Sequence, residues 1–433
     1  MFRNRFLHNS ILILLVSAIF SACVEEIEID TLNENDSSTL VVEAVLTNEA
    51  IIQKVYLSRS SNRLDLETDT IYNPYIPLGT RPFDSVDWEI GASVKLQSEN
   101  GEEYIFTESE DGIYHSNSPF ALQMGVNYTL DIKRNNGQEY ISDAITIQGT
   151  SRITNVYAEK AENDSGEEGI AIYVDSEQLE GNTEYFKYTY AETYKIVAPL
   201  WQNFEFELTN YDGIDDVVDY DLEVVEKEKE DRICYNTVSS NTIDVLSTAG
   251  VSEGNVSKHK VRFITKDNFI IAQRYSILVQ QQVQSADANS FYKILQSFSQ
   301  SDNVFSQIQP GAIYANVHRK DGAFENVYGQ IEAVGVANKR IFLNYEDFFP
   351  EEIPPFAFNC GFETAKLFNF PTDRCPQGLL ERIDKATVSY YSDYNEGLVP
   401  DASCPGPYIF VPRICGDCTL LGSNIVPDFW MEE

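Results

Sequence analysis

The chain has little positive charge. Its 433 residues include 31 lysines and arginines against 68 aspartates and glutamates, which gives a formal net charge of −37. No run of basic residues could form the cationic face that neutralises nucleic-acid phosphates, so we expect no nucleic-acid partner. The 43% of apolar residues and 12% of aromatic residues are nevertheless enough to form a core, so we do not expect a disordered chain.

Catalytic signatures are also scarce. The sequence has no His-Glu-x-x-His and no Gly-x-x-x-x-Gly-Lys-[Ser/Thr], and we expect no serine nucleophile of the Gly-x-Ser-x-Gly type. The neighbours of His115, His259 and His318 suggest no nucleophile–base pair. We therefore predict a non-enzymatic protein with no catalytic residue and no metal site. The alternative is an extracellular hydrolase of glycan or peptide, because among 68 acidic residues some carboxylates must lie close together.

Long apolar runs are missing except near the N-terminus. Arg3 and Arg5 precede an apolar stretch at residues 11–20, which is too short to span a membrane. The stretch leads to Phe20-Ser-Ala-Cys23, and small residues before a cysteine resemble a bacterial lipobox. We predict a lipoprotein signal peptide at residues 1–22 and a covalent acyl lipid on Cys23, with no other cofactor.

Acidic residues follow Cys23 directly, in Val24-Glu-Glu-Ile-Glu-Ile-Asp30. Such a leader resembles the surface-export signal of Bacteroidota lipoproteins, and the open alternative is a solvated leader that keeps the tether extended. We treat residues 23–38 as a lipidated acidic tether. We predict that the protein is anchored by its lipid in the outer membrane and faces the cell exterior.

The seven cysteines also suit an exported lipoprotein. A lipid on one of them leaves six, enough for three disulfides in an oxidising compartment. The motif Cys415-Gly-Asp-Cys418 also admits a redox pair or half of a zinc site, but a turn-rich segment follows it and no histidine pair accompanies it. We therefore predict a disulfide-rich C-terminal cap. The disulfide candidates are Cys234, Cys360, Cys375, Cys404, Cys415 and Cys418.

Short β-type runs occupy the first part of the chain. They are rich in β-branched and aromatic residues, and Asn100-Gly101, Asp111-Gly112 and Asn136-Gly137 between them favour hairpin turns. We predict an immunoglobulin-like β-sandwich at residues 39–149. The expected strands are residues 39–47, 54–59, 92–97, 103–107, 128–133 and 140–147.

Residues 150–433 are predicted to form a larger β-rich domain with one packed helix. The helix pattern starts at Ser285, a good N-cap, and the stripe Phe291, Ile294, Leu295 and Phe298 has the spacing of a core-facing surface. The expected strands are residues 153–160, 169–175, 185–194, two strands within 260–284 joined near 267–268, and then 312–318, 327–336 and 340–343.

Two exposed segments suggest a modification and a metal. Asp69-Thr70-Ile71 and Asp84-Ser85-Val86 resemble the O-glycosylation acceptor pattern of exported Bacteroidota proteins, so Thr70 and Ser85 are candidate acceptors. The acidic stretch at residues 212–221 offers the oxygen ligands of a calcium loop but not its alternating spacing, so we favour an exposed hairpin with solvated charge over a calcium loop. We assign no metal there.

Several segments together resemble one known family. The segments are the lipobox, residues 40–48, 309–316 and 327–333, and the ending Cys415-Gly-Asp-Cys418 to Pro427-Asp-Phe-Trp430. The chain resembles, over nearly all of its mature length, the Bacteroidota lipoprotein family catalogued as domain of unknown function 4249. Ala44 stands where the family normally has glycine. A β-bulge that a glycine would permit is therefore less expected in that strand.

The resemblance implies a setting but no reaction. Family members are similar in setting to surface lipoproteins that accompany TonB-dependent outer-membrane transporters. We therefore expect a non-enzymatic binding or accessory subunit beside such a β-barrel. The alternatives are the hydrolase above and a structural component of an envelope assembly.

Overall fold

The computed structural model describes residues 39–60, 86–211, 220–250, 254–299, 315–368, 377–400 and 402–432. These residues are mainly β, as predicted, and all of them except Thr39 belong to one unit, Leu40–Glu433. None of the helices among them is long and apolar enough to cross a membrane. Several predicted features lie outside the described residues: Cys23, Thr70, Ser85, Cys375 and residues 212–219 of the acidic stretch.

Twenty-two strands make up the described fold. The first eight are β1 Leu40–Thr47, β2 Lys54–Arg59, β3 Asp87–Trp88, β4 Ser93–Ser98, β5 Glu103–Glu110, β6 Ile113–Ser116, β7 Tyr128–Lys133 and β8 Glu139–Ser142. The next nine are β9 Gly149–Glu162, β10 Glu168–Gly181, β11 Tyr185–Val197, β12 Phe204–Thr209, β13 Asp221–Glu226, β14 Ile233–Ser239, β15 Asp244–Ser247, β16 Val256–Thr265 and β17 Arg274–Val283. The last five are β18 Val317–Arg319, β19 Tyr328–Asn344, β20 Glu363–Thr364, β21 Val388–Asp393 and β22 Tyr408–Pro412.

The early strands bury one face each. In β1 the alternate residues Leu40, Val42, Ala44 and Leu46 are buried, as the period of two in a strand requires. Neighbouring strands follow the order β19-β1-β2-β6-β5-β4-β7-β8-β18. The core beneath them also contains residues from far along the chain, namely Val317, Val327, Ile331 and Ala333. The predicted boundary at residue 149 stays a prediction, but this core is completed by residues beyond it.

Strand β19 connects the two halves of the described fold. Its first residues pair in parallel with β1, from Val41 opposite Tyr328 to Thr47 opposite Val334. Its later residues pair antiparallel with β17, up to Asn344 opposite Arg274. The expectation of two strands at 327–336 and 340–343 is therefore wrong, because ladder pairing with β17 continues through residues 337–339, including the polar Asn338 and Lys339. The register with β1 is also continuous through Ala44, without a bulge.

The second half is a pair of packed sheets. The strands β14-β11-β17-β19 form one layer, and β16-β10-β9 form the other. One core cluster contains apolar side chains from both layers, including Ile172 of β10, Phe186 of β11 and Ile277 of β17. The two layers are therefore held face to face by buried apolar surface.

Three α-helices are described where one was expected: α1 Ala286–Ser299, α2 Leu379–Asp384 and α3 Arg413–Gly416. The predicted N-cap of α1 is confirmed, since the Ala288 N–H donates to Ser285 Oγ at 3.1 Å. The expected core stripe is not: Phe291, Ile294 and Leu295 are only half-buried, and the side chain of Phe298 lies outside the description. The reason is that polar side chains, and not this stripe, attach the helix to the sheet.

One disulfide ties the C-terminal cap to the layer that contains β14, and a second lies within the C-terminal segment. Cys234 of β14 is bonded to Cys418, and Cys360 to Cys415. Cys404 is disulfide-bonded as well. Because Cys415 and Cys418 have different partners, the Cys-x-x-Cys motif is neither a redox pair nor half of a zinc site in this structure.

The last residues form a strap across β14, β17 and β19. Trp430 is buried between Tyr235 and Phe342, with ring centroids at 4.9 and 5.7 Å. The Arg340 guanidinium lies 3.6 Å from the ring centroid of Phe429. The Asp-Phe-Trp ending therefore has a structural role, because it covers part of the sheet formed by β14, β17 and β19.

Substitution of Gly329 should test the parallel junction between β1 and β19. Gly329 has a φ of 99°, and the backbone oxygen of Val42 occupies the place that a Cβ would need. We predict that Gly329→Ala lowers the free energy of unfolding by about 2–5 kcal/mol, through left-handed strain and steric overlap. Urea denaturation measures it. The matched control is Gly322→Ala, at φ 74° with nothing within 4 Å of the new Cβ, and an equal loss in both variants would contradict the assignment.

Buried tyrosines should make the fold sensitive to alkali. Burial raises the pKa of Tyr194 to about 12 and that of Tyr114 to about 12. An unfolded phenol loses its proton near its ordinary pKa of about 10, so this stability is complete below that pH and is lost as the pH rises toward the folded value. We predict an unchanged urea midpoint from neutral pH to about 9, then a decline. Full tyrosine ionisation at 295 nm in a protein that is still folded near pH 11 would contradict this.

Candidate functional site

A cleft of about 490 Å³ lies beside α1. One wall comes from the helix, the opposite wall from residues 143–148, and the floor from the first part of β19 together with residues 315–316. Its volume is in the range of small-molecule sites. The lining residues are Asp143, Ala144, Ile145, Thr146, Gln148, Ser285, Asp287, Ser290, Phe291, Ile294, Ala315, Asn316, Gln330, Ile331, Glu332 and Ala333.

The alternation of β19 places polar side chains toward α1. Ile331 and Ala333 belong to the first core, so Gln330 and Glu332 point to the opposite face of the strand. Asn316 fixes the neighbouring segment, since its amide donates to Ile331 O at 2.8 Å and its carbonyl accepts from Ile331 N–H at 3.0 Å. The floor of the cleft is therefore held by the backbone hydrogen bonds of the sheet and by the two hydrogen bonds from the Asn316 side chain to the Ile331 backbone.

A buried ion pair lies behind this floor. Glu332, only 4% exposed, accepts from Lys187 Nζ at 2.6 Å with one carboxylate oxygen and from Gln284 Nε2 at 2.9 Å with the other. The three residues meet because β11, β17 and β19 are adjacent strands. Such a pair offsets the desolvation of both charges only when its groups are hydrogen-bonded, and here both carboxylate oxygens of Glu332 accept a hydrogen bond.

Tyr292 of α1 covers the ion pair. Lys187 Nζ lies 3.9 Å from the centroid of its ring. Burial raises the pKa of the Tyr292 hydroxyl well above its ordinary value, and the negative charge of Glu332 and a hydrogen bond to it add to the effect. The phenol therefore keeps its proton at any physiological pH and acts as a fixed donor.

The helix is attached to the sheet by polar groups. Buried Asn289 donates to Gln284 Oε1 at 3.2 Å and to Phe186 O at 3.3 Å. With Tyr292 over Lys187, this network fixes the face of α1 that meets the sheet. Phe291 and Ile294 are turned toward the cleft as a result, which is the physical reason that the predicted apolar stripe is not core.

The rim carries acidic and unpartnered groups. Asp143 and Asp287 are exposed, and Asp143 Oδ1 lies 3.6 Å from His318 Nδ1. The Oγ1 atom of Thr146 is buried and has no hydrogen-bond partner among the described residues. Within the described part of the chain, no lysine or arginine lines the cleft.

A second cleft, of about 340 Å³, lies at the other end of the same sheet. Its lining includes Lys195 and Arg274, but both of these cations are already engaged by the strap. Lys195 Nζ binds Glu432 at 2.8 Å, and Arg274 Nε donates to Met431 O at 2.5 Å. The first cleft is therefore the better candidate for a binding site.

None of the described cysteines that were predicted to form disulfides lines the cleft. The buried polar group behind its floor, Lys187, Gln284 and Glu332, was missed. A usable signal was present for two of the three, since Lys187 stands between Phe186 and Tyr188 and Glu332 between Ile331 and Ala333. Such positions are worth scanning in strand-rich sequences, because a buried charge requires a partner.

The Gly-x-Ser-x-Gly motif was expected to be absent, and that expectation is wrong. A Gly-x-Ser-x-Gly pattern does occur, at Gly250-Val-Ser-Glu-Gly254. Ser252 itself lies outside the described residues, but the pattern lies between the strands β15 and β16. A nucleophile elbow connects a strand to a helix. The local context is therefore not that of a serine hydrolase.

The described histidine, cysteine and acidic side chains do not come together as a metal site. Within the described residues, no group of three His, Cys, Asp or Glu side chains is arranged to hold a metal ion. His259 Nε2 lies 3.0 Å from Asp244 Oδ2, and its ring stacks on Tyr188. Most of the segment proposed as the calcium alternative, residues 212–219, lies outside the described residues.

A double-mutant cycle should show that the ion pair holds the cleft together. We predict that Lys187→Met lowers the free energy of unfolding by about 3–5 kcal/mol, because it leaves Glu332 as a buried and unpaired charge. Adding Glu332→Gln to that variant should recover about 1–3 kcal/mol of the loss. Urea denaturation of the four proteins measures the coupling. Strictly additive effects would contradict a direct interaction.

Comparison with known proteins gives a family but no activity. No curated protein matches the chain. A family model described as "Domain of unknown function (DUF4249)" matches residues 24–340, which is well over half of the chain. The match includes α1 and most of β19, but not the cysteine-rich ending with its Asp-Phe-Trp motif. The chain therefore belongs to the family of the domain of unknown function DUF4249.

Proposed function

We propose that this chain is a lipid-anchored protein on the outer face of the outer membrane, and that it is a non-enzymatic binding subunit beside a TonB-dependent transporter. The lipobox before Cys23 and the acidic residues 24–30 support the anchor and the orientation. The setting of the family supports the barrel partner by analogy. The cleft beside α1 is the proposed ligand site.

The hydrogen bonding of Glu332 is the observation that favours a binding role over a catalytic one. A general acid or base must exchange a proton with the reacting group, at a pKa near the working pH. Both oxygens of Glu332 already accept hydrogen bonds, from Lys187 and Gln284, and Tyr292 retains its proton. The most deeply buried charge at the cleft, that of Glu332, is thus already hydrogen-bonded within the protein. It forms part of a rigid surface for ligand recognition.

The anchor and the partner can be tested together in native membranes. We expect the full-length chain, extracted from its host in mild detergent, to co-purify with an outer-membrane β-barrel identified by mass spectrometry. We expect protease added to whole cells to cleave it, because the proposal places the protein outside.

The matched control is Cys23→Ala, which removes the lipidation residue and should release the chain from the membrane fraction. A wild-type chain recovered without a barrel, or protected from protease in intact cells, would contradict the proposal. So would a Cys23→Ala variant that stays in the outer membrane.

A further inference from the structure

We propose that the cleft beside α1 binds a small organic cation, in which an ammonium or guanidinium group is joined to an apolar part. This inference rests on the proposed binding role of the cleft and gives it a ligand class. It follows from three properties of the lining: the sign of its charge, the balance of its hydrogen-bonding groups, and its apolar wall.

The charge of the lining excludes an anionic ligand. Three carboxylates line the cleft, those of Asp143, Asp287 and Glu332, and no lysine or arginine of the described residues joins them. The nearby ammonium of Lys187 lies behind Glu332 and under the ring of Tyr292. Its positive charge therefore balances Glu332 and does not reach a ligand. The net charge of −37 adds a long-range field of the same sign as the rim.

The hydrogen-bonding groups of the lining favour a ligand that donates. The amides of Asn316 and Gln330 each give one N–H to Ile331 O, and the Ser290 hydroxyl donates to Ala286 O. The exposed carboxylates of Asp143 and Asp287 on the rim can only accept, so their partner in a ligand must be a donor. Ammonium and guanidinium groups carry only donors, whereas a neutral polyol needs both kinds of partner.

The apolar wall accounts for the rest of the ligand. Phe291, Ile294 and Ile145 line the cleft, and the first two are half-buried on the side of α1 that the polar network turns away from the sheet. Burial of an apolar group against them contributes about 25 cal/mol per Å² removed from water. An aromatic wall next to carboxylates also suits a cation, through attraction to the ring face.

Three probes of similar size and different charge test the inference at pH 7: benzylamine, benzyl alcohol and phenylacetate. Isothermal titration calorimetry should give benzylamine an affinity about three- to tenfold above that of benzyl alcohol, with phenylacetate weakest. Asp143→Asn should weaken benzylamine by about two- to fivefold and leave benzyl alcohol unchanged. The matched control is Asp164→Asn, an exposed aspartate between β9 and β10 that does not line the cleft.

Three results would overturn the cation assignment. The first is benzyl alcohol or phenylacetate binding as tightly as benzylamine, and the second is no binding of benzylamine at all. The third is an equal effect of Asp143→Asn and Asp164→Asn, which would show only the attraction of a cation to an acidic protein. The membrane test does not use the probes, so a missing barrel partner with benzylamine bound at the cleft would refute the proposed function and leave this inference standing.

Discussion

The described structure depends on β19, because this one strand pairs with a strand from each half of the fold. Its first residues are the parallel neighbours of β1 and its later residues are the antiparallel neighbours of β17, so one strand contributes to both halves of the sheet. Ile331 fills the first core on one face of the strand, and Glu332 lies on the other face beside the cleft. A parallel pair between residues 41–47 and 328–334 also closes a very long chain loop. Such contacts form late and at high entropic cost, so the junction depends on the side chains it buries.

The polar attachment of α1 follows from that arrangement. The sheet face that meets the helix carries Lys187, Gln284 and Glu332, and these groups must be hydrogen-bonded where they are buried. Asn289 and Tyr292 supply the matching groups from the helix. Purely apolar packing would have buried Phe291 and Ile294 against the sheet. The polar network instead sets the rotation of the helix about its axis, and the cleft is the space that this rotation leaves.

The fold could be predicted from sequence wherever the signal is local. Strand patterns with Asn-Gly and Asp-Gly turns, the N-cap at Ser285 and the mainly β class all depend on neighbouring residues. The pairing of β1 with β19 does not, since nothing near Val41 indicates a partner almost 290 residues away. The cleft was missed for the same reason. Glu332 looks like an isolated polar residue in an apolar strand until β11 and β17 bring Lys187 and Gln284 beside it.

The large negative charge is compatible with folding because the described buried charges are balanced. Glu332 faces Lys187, Glu192 receives two hydrogen bonds from Arg262, and Glu89 receives one from Arg134. Each of these pairs removes one cation and one anion from the surface, so the excess of carboxylates is exposed to water and counterions. Surface repulsion of this kind is screened beyond about 8–10 Å at physiological ionic strength. What remains unscreened is local, and the rim of the cleft beside α1 is one place where carboxylates and an apolar wall occur together.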